Sequence, residues 1–381
     1  MASSLFKKVL TFTLALCLYS CGSGDGGSNP VCGCSPPLPL YEYEMPASQN
    51  DGWSVGHAGD TGLNIQLITQ LVNDITQGKY VNIDGIVIAK QGQLVFEHYF
   101  NGFHANRPHQ LQSASKSIGS LLTGILLDQQ STLSVDEKIQ GYFPQHQDLV
   151  WDNDKSDITI EHLLTMSAGF DCFEGTQPQK ACDGGQLNAS GNWSRYTLAA
   201  NMAFAPGSQW RYFTGIPILL HEIIEQQSQL ALAKFSQDYL FTPLQIDDAT
   251  WSHSPSDEAL ALEMTPRSMA KLGQLFLNQG QWLNQQVISQ SWLEQSLIPR
   301  FTIDDQLDYG YLWYQDKWFV NEQLIDTYQA LGDGEQKIIF IPMLDMVIAF
   351  TTSNYSFADN SVHGQTSEII EQYIIPAILN Q

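Results

Sequence analysis

A serine three residues ahead of a lysine occurs three times in the chain: Ser4…Lys7, Ser113…Lys116 and Ser268…Lys271. Residues three apart on a helix share a face, so each lysine is placed to lie beside its serine hydroxyl. A serine hydroxyl is a weak nucleophile until a base takes its proton. Lysine serves as that base only if its pKa falls from about 10.4 toward 7, which requires roughly 4 kcal/mol of desolvation and neighbouring charge. A nucleophile at the head of a helix gains free N–H groups and partial positive charge where an oxyanion forms. The chemistry on offer is acyl transfer through a covalent serine intermediate.

The elements around each copy separate them. Ser4…Lys7 falls in an N-terminal leader. Ser268…Lys271 lies inside a helical pattern over 265–277 with nothing strand-like before it, and reads as a solvated helix face. Ser113-Ala114-Ser115-Lys116 follows two strand patterns, 85–89 and 93–99, joined by the turn Lys90-Gln91-Gly92. It opens a helix pattern with apolar Ile118, Leu121, Leu122, Ile125 and Leu126. Context selects Ser113 as nucleophile and Lys116 as its base.

Farther out, Leu63, Ile65, Leu67, Ile68, Leu71, Val72 and Ile75 recur at helical spacing before the hairpin. From Ser113 to about Pro299 the chain reads as helices and loops. Strand patterns return at 310–314, 337–341 and 347–351, and a last helix runs near 366–379. Strands at both ends with helices between them predict an α+β fold with an antiparallel sheet built from both chain ends. The expected division is a sheet subdomain of 51–112 and 300–381 and a helical subdomain of 113–299, with the cleft between them. Together 51–381 form one catalytic unit.

The chain has 381 residues, 43% hydrophobic and 15% charged, enough to bury a real core. Its net charge is −23 and only 17 residues are Lys or Arg, which excludes a nucleic-acid binder needing a basic face. Lys7 and Lys8 precede an apolar stretch over 9–19 that is too short to span a bilayer as a mature helix, so 1–20 reads as an export signal. Leu18-Tyr19-Ser20-Cys21 resembles a bacterial lipobox, which makes Cys21 the expected lipidation site. Residues 21–50 are rich in Gly, Ser and Pro and read as a flexible linker. The expectation is an exported protein of the bacterial cell envelope, held to a membrane by a lipid anchor, in the periplasm or at the cell surface.

Export implies an oxidising compartment. Cys172 and Cys182 bracket a short polar loop and are the expected disulfide. Cys32 and Cys34, separated by Gly33 alone, receive no assignment. No four-ligand spacing suggests zinc, and neither metal nor organic cofactor is implied.

Beyond the Ser–Lys pair, motifs occur in a fixed order. Residues 162–169 read HLLTMSAG, 205–212 read APGSQWRY, 265–273 read TPRSMAKLG and 332–336 read GDGEQ. In that order they resemble the serine β-lactamase and penicillin-binding-protein superfamily, in its class C-like esterase and amidohydrolase branch, over roughly 84–354. The resemblance implies that Tyr212, which opens Tyr212-Phe213-Thr214 where the family has Y-x-N or Y-x-S, shares proton transfer with Lys116. Thr214 keeps a hydroxyl there and is expected to hydrogen-bond the Ser–Lys pair. The stretch Gly332-Asp333-Gly334-Glu335-Gln336 corresponds to the strand walling the site, with Glu335 or Gln336 offering a backbone N–H to the oxyanion. No K-T-G occurs, and the absent basic residue weighs against carboxylate-bearing substrates such as penicillins.

The implied activity is that of a serine hydrolase acting on a small ester or amide. A D,D-peptidase or β-lactamase is the rival within the fold, and a non-catalytic binding lipoprotein the rival outside catalysis. No G-x-S-x-G elbow is present. His221-Glu222-Ile223-Ile224-Glu225 falls short of H-E-x-x-H and reads as an ordinary helix face. His162 reads as structural. Trp193, Trp210, Trp313 and Tyr314 are candidates for an acyl pocket, although aromatics more often fill cores.

Overall fold

Apolar residues run without a break through 86–89, 338–341 and 346–350, and the structure shows why. Side chains alternate across a strand, so a continuous apolar run suits a strand covered on both faces. In the computed structural model, Ile86 and Ile88 enter one core while Val87 and Ala89 enter the other. Ile339 and Ile348 follow the first pair, and Ile338 and Val347 the second. The structure describes residues 40–174, 182, 184–305, 307–320, 322–355 and 364–379. Residues 1–20, expected to be a leader, and Cys21, Cys32 and Cys34 lie outside these.

Nine strands form the main sheet among the described residues. They are β1 (Ser54–Val55), β2 (Ile83–Lys90), β3 (Gln93–Tyr99), β4 (Phe301–Thr302), β5 (Leu307–Tyr309), β6 (Tyr314–Val320), β7 (Gln323–Gly332), β8 (Gln336–Ile341) and β9 (Met346–Thr352). Their order is β1-β3-β2-β9-β8-β7-β6-β5-β4. All neighbours are antiparallel except β1 on β3. The two chain ends meet where β2 pairs with β9, Ile88 opposite Ile348. The α+β architecture expected from the strand positions is the one observed.

One face carries α1 (Ile65–Thr76) and the C-terminal helical segment, which runs through Gln365–Ile369, a π turn at Ile370–Ile374 and Pro376–Leu379. The other carries α2 (Ser115–Gln129), α3 (Gly215–Ser228) and α4 (Pro266–Leu277). Helix α2 is buried on every side from Ser115 through Leu126. A helix enclosed all round is a rigid central element, suited to carrying a nucleophile at its head. Among the described residues no helix is long and apolar enough to cross a membrane.

Three expectations need correction. Residues 41–50 are not free linker: the Tyr41 N–H donates to Asn73 Oδ1 (2.8 Å), the Tyr43 hydroxyl to Val95 O (2.8 Å), and Arg267 Nη1 to Ala47 O (3.2 Å). Backbone groups of Tyr41 and Ala47 and the side chain of Tyr43 provide this anchoring. The middle of the chain is not helix and loop alone, because His109–Gln110, Ala259–Met264 and Thr250–His253 form a three-stranded sheet. Ser268 and Lys271 are not on a solvated face; they are 4% and 1% exposed.

Candidate active site

Ser113 sits in a 3-10 turn, Gln112–Ala114, that runs directly into α2. Gln112, just before it, has φ 51°, a left-handed conformation that costs a non-glycine residue on the order of 1 kcal/mol. The neighbouring serines of α2 are committed elsewhere. Ser115 Oγ accepts the Leu262 N–H (2.9 Å), and the Ser117 hydroxyl donates to Leu312 O (2.6 Å). These two bonds pin the first turn of α2 on either side of Lys116.

Lys116 Nζ lies 2.8 Å from Ser113 Oγ, and the lysine is 6% exposed. Burial pushes its pKa down to about 8, with the Glu174 carboxylate opposing the fall. An amine there is neutral often enough near neutral pH to take the Ser113 proton across this contact. The third serine–lysine pair differs in geometry. Burial also lowers Lys271 to about 8, yet its Nζ donates to Gln245 O at 2.7 Å, while Ser268 hydrogen-bonds Thr265 at the start of α4. A depressed lysine is common to both copies; contact with the serine belongs to Ser113 and Lys116.

Tyr212 covers the pair, with Lys116 Nζ 5.0 Å from its ring centroid. Burial drives its phenol well above the ordinary tyrosine value; the Ser113 hydroxyl opposes this by hydrogen bonding, and Glu174 and Asp333 add to it. Tyr212 is therefore a protonated phenol in the resting protein. Trp210, Tyr309 and Tyr314 continue the aromatic wall: Trp210 lies 6.1 Å from Tyr212 and 5.7 Å from Tyr309, and Tyr309 lies 4.8 Å from Tyr314. Trp313 instead fills the core against Phe276 and Phe340, and Trp193 is also a core residue.

The end of β7 approaches the turn bearing Ser113 closely. A Cβ on Gly332 would stand 2.1 Å from Leu111 O, so only glycine permits the strand to lie against the turn bearing Ser113. The hairpin beyond it reassigns two sequence candidates. The Glu335 N–H closes the turn onto Gly332 O (3.1 Å), and the Glu335 carboxylate accepts the N–H groups of Gly364 (2.6 Å) and Thr366 (3.4 Å). Its side chain holds the start of the C-terminal helix, away from the cleft. Gln336 is fully buried, donating to Thr352 O (2.6 Å) and accepting the Thr352 N–H (3.1 Å). Neither side chain is free for substrate. Asp333 and Gly334 form the turn itself, and Asp333 acts on the Tyr212 phenol.

Thr214 is likewise reassigned. Its hydroxyl donates to Glu174 Oε2 (2.8 Å) and its N–H to Glu174 Oε1 (2.9 Å), rather than to the Ser–Lys pair. Glu174 was not a sequence candidate. The only signal for it was its place two residues after Cys172, and Cys172 and Cys182 are paired, Cα to Cα 4.7 Å.

The remaining motifs are scaffolding. His162 accepts the Thr159 N–H through Nδ1 (3.1 Å) and donates its own N–H to Thr159 Oγ1 (3.4 Å), which caps a short helix. Its ring abuts Gly207, so the 162–169 and 205–212 segments pack on each other. His221 is not on a solvent face: it is 3% exposed and hydrogen-bonded to Ala259 O (2.9 Å). Among the described residues no cluster of His, Cys, Asp and Glu is arranged to hold a metal ion.

The family model for β-lactamase matches residues 71–365. The chain belongs to the β-lactamase family. It is similar to the 6-aminohexanoate-dimer hydrolase of Paenarthrobacter ureafaciens, 21% identical over 302 residues, covering 75% of this chain and 76% of that one. A putative 6-aminohexanoate-dimer hydrolase from Bacillus anthracis shares the fold with a TM-score of 0.62 and 21% identity, over 76% of this chain and 78% of that one. A family VIII carboxylesterase gives a TM-score of 0.62 at 14% identity, over 81% and 96% of the two chains. A class C β-lactamase gives 0.59 at 15% identity, over 83% and 95%.

Proposed function

We propose that the protein is a serine hydrolase that forms an acyl-enzyme at Ser113 and acts on small esters or amides. The observation that carries this reading is the 2.8 Å contact between Ser113 Oγ and a buried Lys116. Neutral Lys116 takes the hydroxyl proton as Oγ attacks the carbonyl carbon. The tetrahedral oxyanion needs N–H donors. Ser113 supplies its own at the head of α2. The second comes from the backbone at the end of β7, which Gly332 brings against the turn bearing Ser113. Protonated Tyr212 passes its proton to the leaving group and takes up the proton held by Lys116; water then attacks the acyl-enzyme, and the proton it gives up returns to Ser113 Oγ through Lys116 and Tyr212 as the acid leaves.

Two carboxylates, Glu174 and Asp333, act on Tyr212. A cleft of that sign disfavours substrates with a carboxylate beside the scissile bond, which supports an ester or neutral amide over a penicillin. The relatives named as a 6-aminohexanoate-dimer hydrolase and a carboxylesterase accord with this class. The leader and Cys21 support export and lipid anchoring, for which the check is palmitate incorporation that Cys21→Ala removes.

The test of activity is incubation of the purified protein with p-nitrophenyl esters, nitrocefin and a labelled penicillin. Ester turnover that disappears in Ser113→Ala is expected. Nitrocefin turnover exceeding ester turnover favours the β-lactamase reading. No turnover and no label across the panel favours a binding protein.

A further inference from the structure

The disulfide loop contributes a carboxylate to the catalytic neighbourhood. Glu174 is joined to the Tyr212–Thr214 segment by three hydrogen bonds: its N–H donates to Tyr212 O (2.9 Å), and its two oxygens accept the N–H (2.9 Å) and hydroxyl (2.8 Å) of Thr214. Both oxygens are thereby fixed in orientation at the head of α3, where a carboxylate is favoured by the helix dipole. Glu174 is half-buried, and among the ion pairs of the described residues it has no Arg or Lys partner within salt-bridge distance. Its field falls on the two groups that move protons, Lys116 and Tyr212.

We infer that Glu174 is a positioning residue for the Ser113 reaction: it fixes the Tyr212–Thr214 segment and supplies the negative charge that stabilises Lys116 as an ammonium once it has taken the serine proton. The inference rests on the serine-hydrolase reading above. In the acylation step Lys116 passes from amine to ammonium inside a buried site, at a desolvation cost that a fixed carboxylate offsets. The other groups facing Lys116 do not do this. His221, from α3, is buried and held near pKa 4, so it is neutral, and Tyr212 is a neutral phenol. The groups facing Tyr212 are Ser113, Glu174, Asp333, Tyr309 and Tyr314; of the two carboxylates among them, Glu174 is the one that also acts on Lys116.

Glu174→Gln removes the charge and keeps an oxygen for the Thr214 N–H and an amide for its hydroxyl. Glu174→Asp keeps the charge. The readout is the rate at which a fluorophosphonate probe labels Ser113 as a function of pH, with Tm recorded for each variant and Ser113→Ala run in parallel. For Glu174→Gln the midpoint of the rising limb should move at least half a pH unit downward, because a lysine without its carboxylate gives up its proton more readily. Its plateau rate should fall about tenfold, equivalent to roughly 1.4 kcal/mol of transition-state stabilisation. Glu174→Asp should keep the wild-type midpoint. A merely structural role would lower Tm or the labelled fraction and leave the midpoint in place, and an unmoved midpoint in folded Glu174→Gln overturns the inference while the serine-hydrolase reading stands. Labelling that persists in Ser113→Ala, or none in the wild type, overturns both.

Discussion

Lys116 Nζ stands 2.8 Å from Ser113 Oγ with its ammonium-bearing end enclosed by protein, and among the described residues no carboxylate hydrogen-bonds it. The same enclosure that makes the lysine a base makes it a burden on stability. Its folded pKa of about 8 lies below the unfolded value, so between pH 8 and about 10.5 the unfolded chain binds more protons than the folded one. Stability therefore rises with pH across that window, and the penalty is fully present below pH 8. Lys116→Met should abolish turnover yet raise Tm at pH 7 by several degrees, reflecting a relief of at most roughly 3 kcal/mol, and the gain should shrink by pH 10. Calorimetry of the two proteins at both pH values checks this.

The same pKa fixes the pH dependence of catalysis. Only neutral Lys116 accepts the serine proton, so kcat/KM for an uncharged ester should climb from pH 6.5 to 9 with a midpoint near 8. A profile that is flat over that range would remove Lys116 from the role of base.

Glu335 combines an unfavourable backbone with useful side-chain bonds. Its φ is 71°, and its carboxylate accepts the Gly364 and Thr366 N–H groups. Glu335→Ala loses those bonds and retains the strain, so it should destabilise by about 1–3 kcal/mol. Glu335→Gly relieves the strain and should come out about 1 kcal/mol less damaging than the alanine variant. Both should keep wild-type acylation of Ser113 when folded, measured by denaturant unfolding alongside probe labelling.

Ser268→Ala should leave ester turnover within twofold of wild type and cost about 1 kcal/mol or less, since among the described residues its hydroxyl hydrogen-bonds Thr265 alone. A folded Ser268→Ala protein without activity would reverse the choice between the two serine–lysine pairs.

The residues legible in the sequence are those whose partners are near in the chain. Ser113 and Lys116 share one helical turn, and Cys172 and Cys182 are separated by ten positions. The central strands β2, β8 and β9 announced themselves because both faces are covered and the apolar runs are unbroken, whereas the strand expected at 310–314 falls between β5 and β6 and reaches a strand only at Tyr314. What stayed hidden depends on distant partners. His109 pairs with Met264 in a short strand whose composition carries no alternation of its own. Glu174 meets Thr214 forty residues away, and Glu335 turns from the cleft because a left-handed residue at a hairpin redirects its side chain toward Gly364. Buried Lys271 is held by a bond to Gln245 O and by the Trp282 ring, partners that no helical periodicity reveals.

The most direct measurement is intact-mass spectrometry of the protein mixed briefly with an activated p-nitrophenyl ester, followed by mapping of the modified peptide. One acyl group per chain, carried by Ser113 and absent from Ser113→Ala, is the expected result. An acyl group found on another residue, or undiminished acylation and turnover in Ser113→Ala, would contradict the assignment of Ser113 as the nucleophile.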